Sequence, residues 1–186
     1  MEVNAKNVRL LAEQVDDENF EFRRFLKWQD ALSDEELDEL VWETTHRIWA
    51  GFDCATCGNC CRELVPTVTA EEVERLAVRL GVSVETFHEQ YVERVATPDE
   101  DDVDPGGPVQ WRLRGRSCPF LKGNRCTVYE DRPTQCRKYP YLYEPNFSRR
   151  LIAMLERTYT CPVVYQVLEA LKRELPFRRR GWGRFY

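Results

Sequence analysis

Apolar positions in residues 33–51 recur with the period of an α-helix. Leu37, Leu40, Val41, Ile48 and Trp49 make most of one stripe. Ser33 with Glu36 three positions later forms a capping box, acidic residues fill the first turn, and Gly51 is placed to stop the helix. The same grammar returns downstream. Thr69 pairs with Glu72, then Val73, Leu76, Ala77 and Leu80 line one face, and Gly81 ends the run. Ser83 caps a further stretch in which Val84, Phe87, Tyr91 and Val95 keep helical spacing, so residues 70–95 predict a helical hairpin.

The rest of the chain is less regular. F-E-F-R-R-F-L-K-W at 20–28 is too apolar for a free tail and predicts an arm that packs on the body. P-D-E-D-D-V-D-P-G-G-P at 98–108 is a loop by composition, and its acids lack the order of an EF-hand. V-Q-W-R-L-R-G (109–115) alternates like a strand, and C-P-F-L-K-G-N-R-C-T-V-Y (118–129) reads as two short strands around K-G-N. Pro133 opens a short helix, and a last helix runs over about 149–175 with a break at Pro162. The pattern predicts a mainly α protein (small α+β), with helices around a cysteine-rich metal-binding core and a short β-hairpin. Its expected segments are an N-terminal arm and helix (1–50) packed on the core, a cysteine-cluster domain (51–165), and the end of the last helix with a basic, aromatic tail (166–186).

Composition changes the picture in one respect. The 186 residues are 42% hydrophobic and 12% aromatic, enough to bury a core without cross-links. Eight cysteines are therefore not needed for mere cohesion. A net charge of −5 argues against nucleic-acid binding by the surface as a whole. The first residues show no basic segment followed by an apolar run, and no apolar stretch is long enough for a membrane span. The expectation is a cytoplasmic chain, in which clustered thiols serve metal or redox chemistry rather than disulfides.

The cysteines are Cys54, Cys57, Cys60, Cys61, Cys118, Cys126, Cys136 and Cys161. C-A-T-C-G has the form of a metal knuckle, in which two thiolates approach one ion from a single turn. Gly58 permits the positive φ that turns backbone N–H groups toward sulfur. Cys60 and Cys61 are adjacent, and neighbouring side chains diverge by about 100° in a helix. That geometry assigns them different roles: two centres, a bridge within one, or one ligand and one core thiol. Four thiolates outweigh the charge of a zinc ion, and Arg62, Arg125, Arg132, Arg137 and Lys138 lie close enough in sequence to offset it, although any one alone reads as a surface cation. C-x2-C-x2-C also opens like a ferredoxin ligand run, but the fourth cysteine follows with no spacer.

At C-A-T-C-G-N-C-C-R (54–62) and C-P-F-L-K-G-N-R-C-T-V-Y-E-D-R-P-T-Q-C-R-K-Y-P (118–140) the chain resembles the CxxCxxCC cysteine-cluster family of zinc- or iron-chelating proteins. The helix T-A-E-E-V-E-R-L-A-V-R-L-G between the blocks fits as well, and Cys161-Pro162 is a looser match. The resemblance implies a zinc ion or an iron–sulfur cluster held by the eight cysteines, with the adjacent pair and the Cys-Pro elements favouring a cluster. Flagellin lysine-N-methylases resemble the family through a similar cysteine region. This chain has no G-x-G-x-x-G, so methylation is not carried over.

Three functional classes follow. The first is a metal-binding protein, the second a redox or modification enzyme that uses the centre, and the third a zinc-ribbon-like interaction module. Only two histidines, His46 and His88, are present, too few for a base network around a cysteine nucleophile. Tyr129, Tyr139, Tyr141 and Tyr143 crowd the last cysteine block and read first as packing. The sequence names a metal ion or cluster as partner, no membrane, and no particular protein.

Overall fold

The computed structural model describes residues 2–29, 31–95 and 111–178. The loop expected at 98–108 and most of the basic tail lie outside them. Helices follow in chain order as α1 (Val8–Gln14), α2 (Asp16–Trp28), α3 (Asp34–Trp49), α4 (Cys54–Cys57), α5 (Asn59–Glu63), α6 (Ala70–Leu80), α7 (Val84–Tyr91), α8 (Thr134–Lys138), α9 (Leu151–Thr158) and α10 (Pro162–Glu174). The strands are β1 (Thr67–Val68), β2 (Val92–Arg94), β3 (Trp111–Leu113), β4 (Leu121–Lys122) and β5 (Arg125–Cys126). The protein is mainly α with a little antiparallel β, as the periodicity predicts. It forms two compact units, Met1–Asp53 with Pro140–Tyr186, and Cys54–Tyr139.

The first unit is helical. Ser33 and Glu36 make the expected capping box, with the serine oxygen taking the Glu36 N–H at 3.1 Å and the Glu36 carboxylate taking the Ser33 N–H at 2.8 Å. Helix α3 buries Leu37 and Val41 and packs on α10, which buries Val163, Val164, Val167, Leu168 and Leu171. The aromatic run at 20–28 is α2, which buries Phe22 and Leu26. The final helix divides before Pro162, whose missing N–H is harmless at the first position of α10.

Asp38 on α3 is buried yet fully used. Its carboxylate takes the Asn146 N–H at 2.6 Å and the Phe147 N–H at 2.8 Å, at the entry to a 3₁₀ turn (Phe147–Arg150) that leads into α9. Asp38→Ala leaves two N–H groups without their acceptor, each costing about 1–3 kcal/mol. Urea denaturation is expected to show a loss of roughly 2–4 kcal/mol. Asp38→Asn, which keeps one acceptor oxygen, is expected to lose less; equal losses would contradict this account.

The second unit carries the cysteine blocks. Helices α6 and α7 pack as a pair, with Thr69 and Glu72 in a second capping box and Gly81 closing α6 at a φ of 68°. The helix expected to run on to Val95 stops at Tyr91. Val92 instead pairs with Leu113 and Glu93 with Arg112, across which a salt bridge closes at 2.6 Å. A β-branched residue with a strand to join leaves the helix, whatever its helical spacing. Strand order is β1-β3-β2, all antiparallel, and β4 and β5 form a separate hairpin with Leu121 opposite Cys126. Val68, Val73, Leu76, Phe87, Val92, Leu113, Phe120 and Val128 make the core, and Cys61, Cys118 and Cys126 pack on it.

Candidate metal centre

The knuckle is a single helical turn, α4, carrying Cys54 and Cys57. It packs on β5, which carries Cys126. Gly58 then turns the chain with a φ of 69° into α5. A Cβ here would stand 3.2 Å from Leu121 Cδ1 and 3.3 Å from the Asn124 Cα. Both the left-handed backbone and the close approach of the β4–β5 hairpin demand glycine.

Helix α5 presents Cys60 and Cys61 with their sulfurs 4.0 Å apart. The Cys118 N–H donates to the Cys61 carbonyl at 2.7 Å. The first and second cysteine blocks thus meet at Cys61. The Phe120 and Val128 N–H groups favour the charged forms of Cys118 and Cys126, working against the burial that raises both. Cys136 is delivered by α8, which two long-range ties fix in place. Glu72 takes the Thr134 N–H at 2.7 Å, and Gln135 bonds both the N–H and the hydroxyl of Thr67, at 3.0 and 2.6 Å. Burial opposes the charge of Glu72, but the bonds from Thr134 and Thr69 hold its carboxyl below the usual range.

Charge is divided unequally among these sulfurs. Hydrogen bonds from Cys118 and Cys60 bring Cys61 down to about 3 against its own burial, and the Arg62 guanidinium helps. Cys118 moves strongly upward, because it gives its proton to Cys61 and is buried. Burial raises Cys126. Burial, and then the charges of Cys61 and Cys126, push Cys136 up to about 12. One thiolate is surrounded by three protonated thiols that all sense it.

The eight cysteines are uncross-linked thiols. Five of them, Cys60, Cys61, Cys118, Cys126 and Cys136, interact with one another, and Cys54 and Cys57 lie on the turn beside β5. Cys161 lies in the helical unit, buried at the N-cap of α10, with its N–H on the Arg157 carbonyl at 2.8 Å. Among the described residues no three Cys, His, Asp or Glu side chains already stand in metal-holding geometry. The donor chemistry nonetheless fits a thiophilic ion. With zinc–sulfur bonds of about 2.3 Å, sulfurs on one tetrahedron lie about 3.8 Å apart, close to the Cys60–Cys61 separation. Backbone N–H groups aimed at sulfur are what a metal thiolate needs to spread its charge.

Other candidates take ordinary places. His88 packs edge-on against Trp111 at 4.8 Å, and His46 lies on α3 of the helical unit. Tyr129 lies under the Arg132 guanidinium at 3.8 Å, while Tyr141 and Tyr143 belong to the helical unit. Arginines near the cysteines mostly bind backbone carbonyls. Arg132 holds that of Tyr129 at 2.6 Å, and Arg137 those of Arg132 and Glu130. Their sequence positions suggest charge compensation as a group and surface cations one by one, and these carbonyl bonds are a use that sequence reasoning missed. It also missed Gln135, which stands one residue before Cys136 and was the available signal. Among the described residues no helix is long and apolar enough to cross a membrane.

A family model named CxxCxxCC, described as "Putative zinc- or iron-chelating domain", matches residues 53–162. No curated protein and no solved structure matches the chain.

Proposed function

The chain belongs to the CxxCxxCC family of zinc- or iron-chelating domains, and from that premise we propose that residues 54–139 bind iron as a sulfide-bridged cluster. The ligands come from Cys54, Cys57, Cys60, Cys61, Cys118, Cys126 and Cys136. The observation that carries this reading is the convergence on Cys61: the Cys118 N–H, 57 positions on in sequence, donates to its carbonyl at 2.7 Å, and the Cys60 sulfur stands 4.0 Å from its own. A chain that needed only buried small residues at these places would not bring their polar atoms together. The adjacent pair Cys60 and Cys61 and the Cys-Pro elements suit a cluster more than two separate zinc sites. When bound, such a centre supplies electron transfer or a folding cross-link. The chain's own part is to hold the sulfurs, with Glu72 and Gln135 fixing Cys136 and two backbone N–H groups favouring the charged forms of Cys118 and Cys126.

The test is anaerobic purification of the full chain, with metal, sulfide and visible absorption measured on one sample. A brown protein containing iron and acid-labile sulfide is expected. Colourless protein with stoichiometric zinc would keep the ligand set and overturn the cluster. Metal-free protein that takes up neither ion would overturn both.

A further inference from the structure

The knuckle and the β4–β5 hairpin bring different cysteines to the centre, and one side chain reaches across both. From Arg62, on α5, Nη1 donates to the Cys57 carbonyl at 3.2 Å and to Asn59 Oδ1 at 3.3 Å. Nη2 donates to the Gly123 carbonyl at 3.4 Å and to the Asn124 side-chain oxygen. The acceptors belong to two segments about 60 residues apart in sequence, one bearing Cys54 and Cys57 and the other leading into Cys126. Gly58 marks the same junction, since a Cβ there would press on Leu121, Asn124 and Arg62 itself at 3.2–3.3 Å. We propose that Arg62 is a positioning residue for the metal centre, a planar strap that sets the knuckle against the hairpin before metal arrives.

The inference rests on the metal-binding reading above. A guanidinium suits the task because its fixed fork of donors can hold carbonyls on two sides at once. A lysine in its place keeps the charge but not the fork. Removing an outer support of a metal site typically costs about 10–100-fold in affinity. Arg125 is the internal control. It also adjoins a cysteine and is exposed like Arg62, but it stands on the hairpin alone and does not tie it to the knuckle.

The experiment is a competition titration of the full chain with Zn2+ as the probe against a chromophoric chelator, under reducing conditions. Wild type is compared with Arg62→Ala, Arg62→Lys, Asn124→Ala and Arg125→Ala. Expected for Arg62→Ala is a 10–100-fold weaker affinity with unchanged stoichiometry and far-ultraviolet circular dichroism. Arg62→Lys should recover little. Asn124→Ala should show a smaller loss that does not add to that of Arg62→Ala, and it keeps the proposal testable if Arg62→Ala fails to fold. Arg125→Ala should stay near wild type. Affinities of Arg62→Ala within about twofold of wild type, or full recovery by lysine, would overturn the strap while leaving the metal-binding reading intact. A wild-type chain that binds no Zn2+ would overturn both.

Discussion

Cys61→Ser is expected to empty the centre. Cys61 is the sulfur that the others sense. Its carbonyl accepts the Cys118 N–H, its sulfur lies 4.0 Å from that of Cys60, and after burial its charge helps to raise Cys126 and Cys136. A serine oxygen in its place is a harder, less acidic donor that thiophilic metals accept poorly. Metal binding in cysteine sites is also folding free energy, on the order of 10–16 kcal/mol for structural zinc in small peptides. A chelator should therefore lower the melting temperature of wild type and leave that of Cys61→Ser unmoved. Metal-to-protein ratios on samples purified in parallel are the companion measurement. A Cys61→Ser protein with full metal occupancy would remove the convergence on this sulfur from the argument.

What the sequence made legible was local. Ser33 with Glu36 and Thr69 with Glu72 act over three residues, so the two capping boxes are written in the chain itself. The knuckle spacing and its glycine are of the same kind. The end of α7 was hidden, because Val92 obeys helical spacing and leaves the helix only for a partner, Leu113, that lies 21 residues on. The second task of Glu72 was hidden as well: one oxygen closes its own helix cap, and the other holds the Thr134 N–H beside Cys136. Arg62 reads as a cation near thiolates, and its charge does favour the Cys61 thiolate, but its hydrogen bonds go to carbonyl and amide oxygens. In each case the missing information was the identity of a distant partner. Spacing rules cannot supply that, because they describe neighbours on one element.

The unequal protonation of the sulfurs has a thermodynamic consequence. Metal binds thiolates, so any proton on a ligand sulfur must leave. At neutral pH Cys61, held near about 3, has already lost its proton. Cys118, Cys126 and Cys136 are all raised above the ordinary thiol value and keep theirs. Binding one Zn2+ at Cys61 and three protonated thiols is then expected to release about three protons rather than four. Protons are products of the binding step, so acid drives it backward. The logarithm of the apparent affinity should rise by about three for each pH unit near neutrality, roughly a thousandfold per unit. Titration of Zn2+ into the reduced, metal-free chain in weak buffer with a pH indicator counts the protons directly. Competition titrations at several pH values give the slope independently. A count near four would mean that Cys61 carries its proton in the free protein, and a count near zero would mean that these thiols do not take up the metal at all.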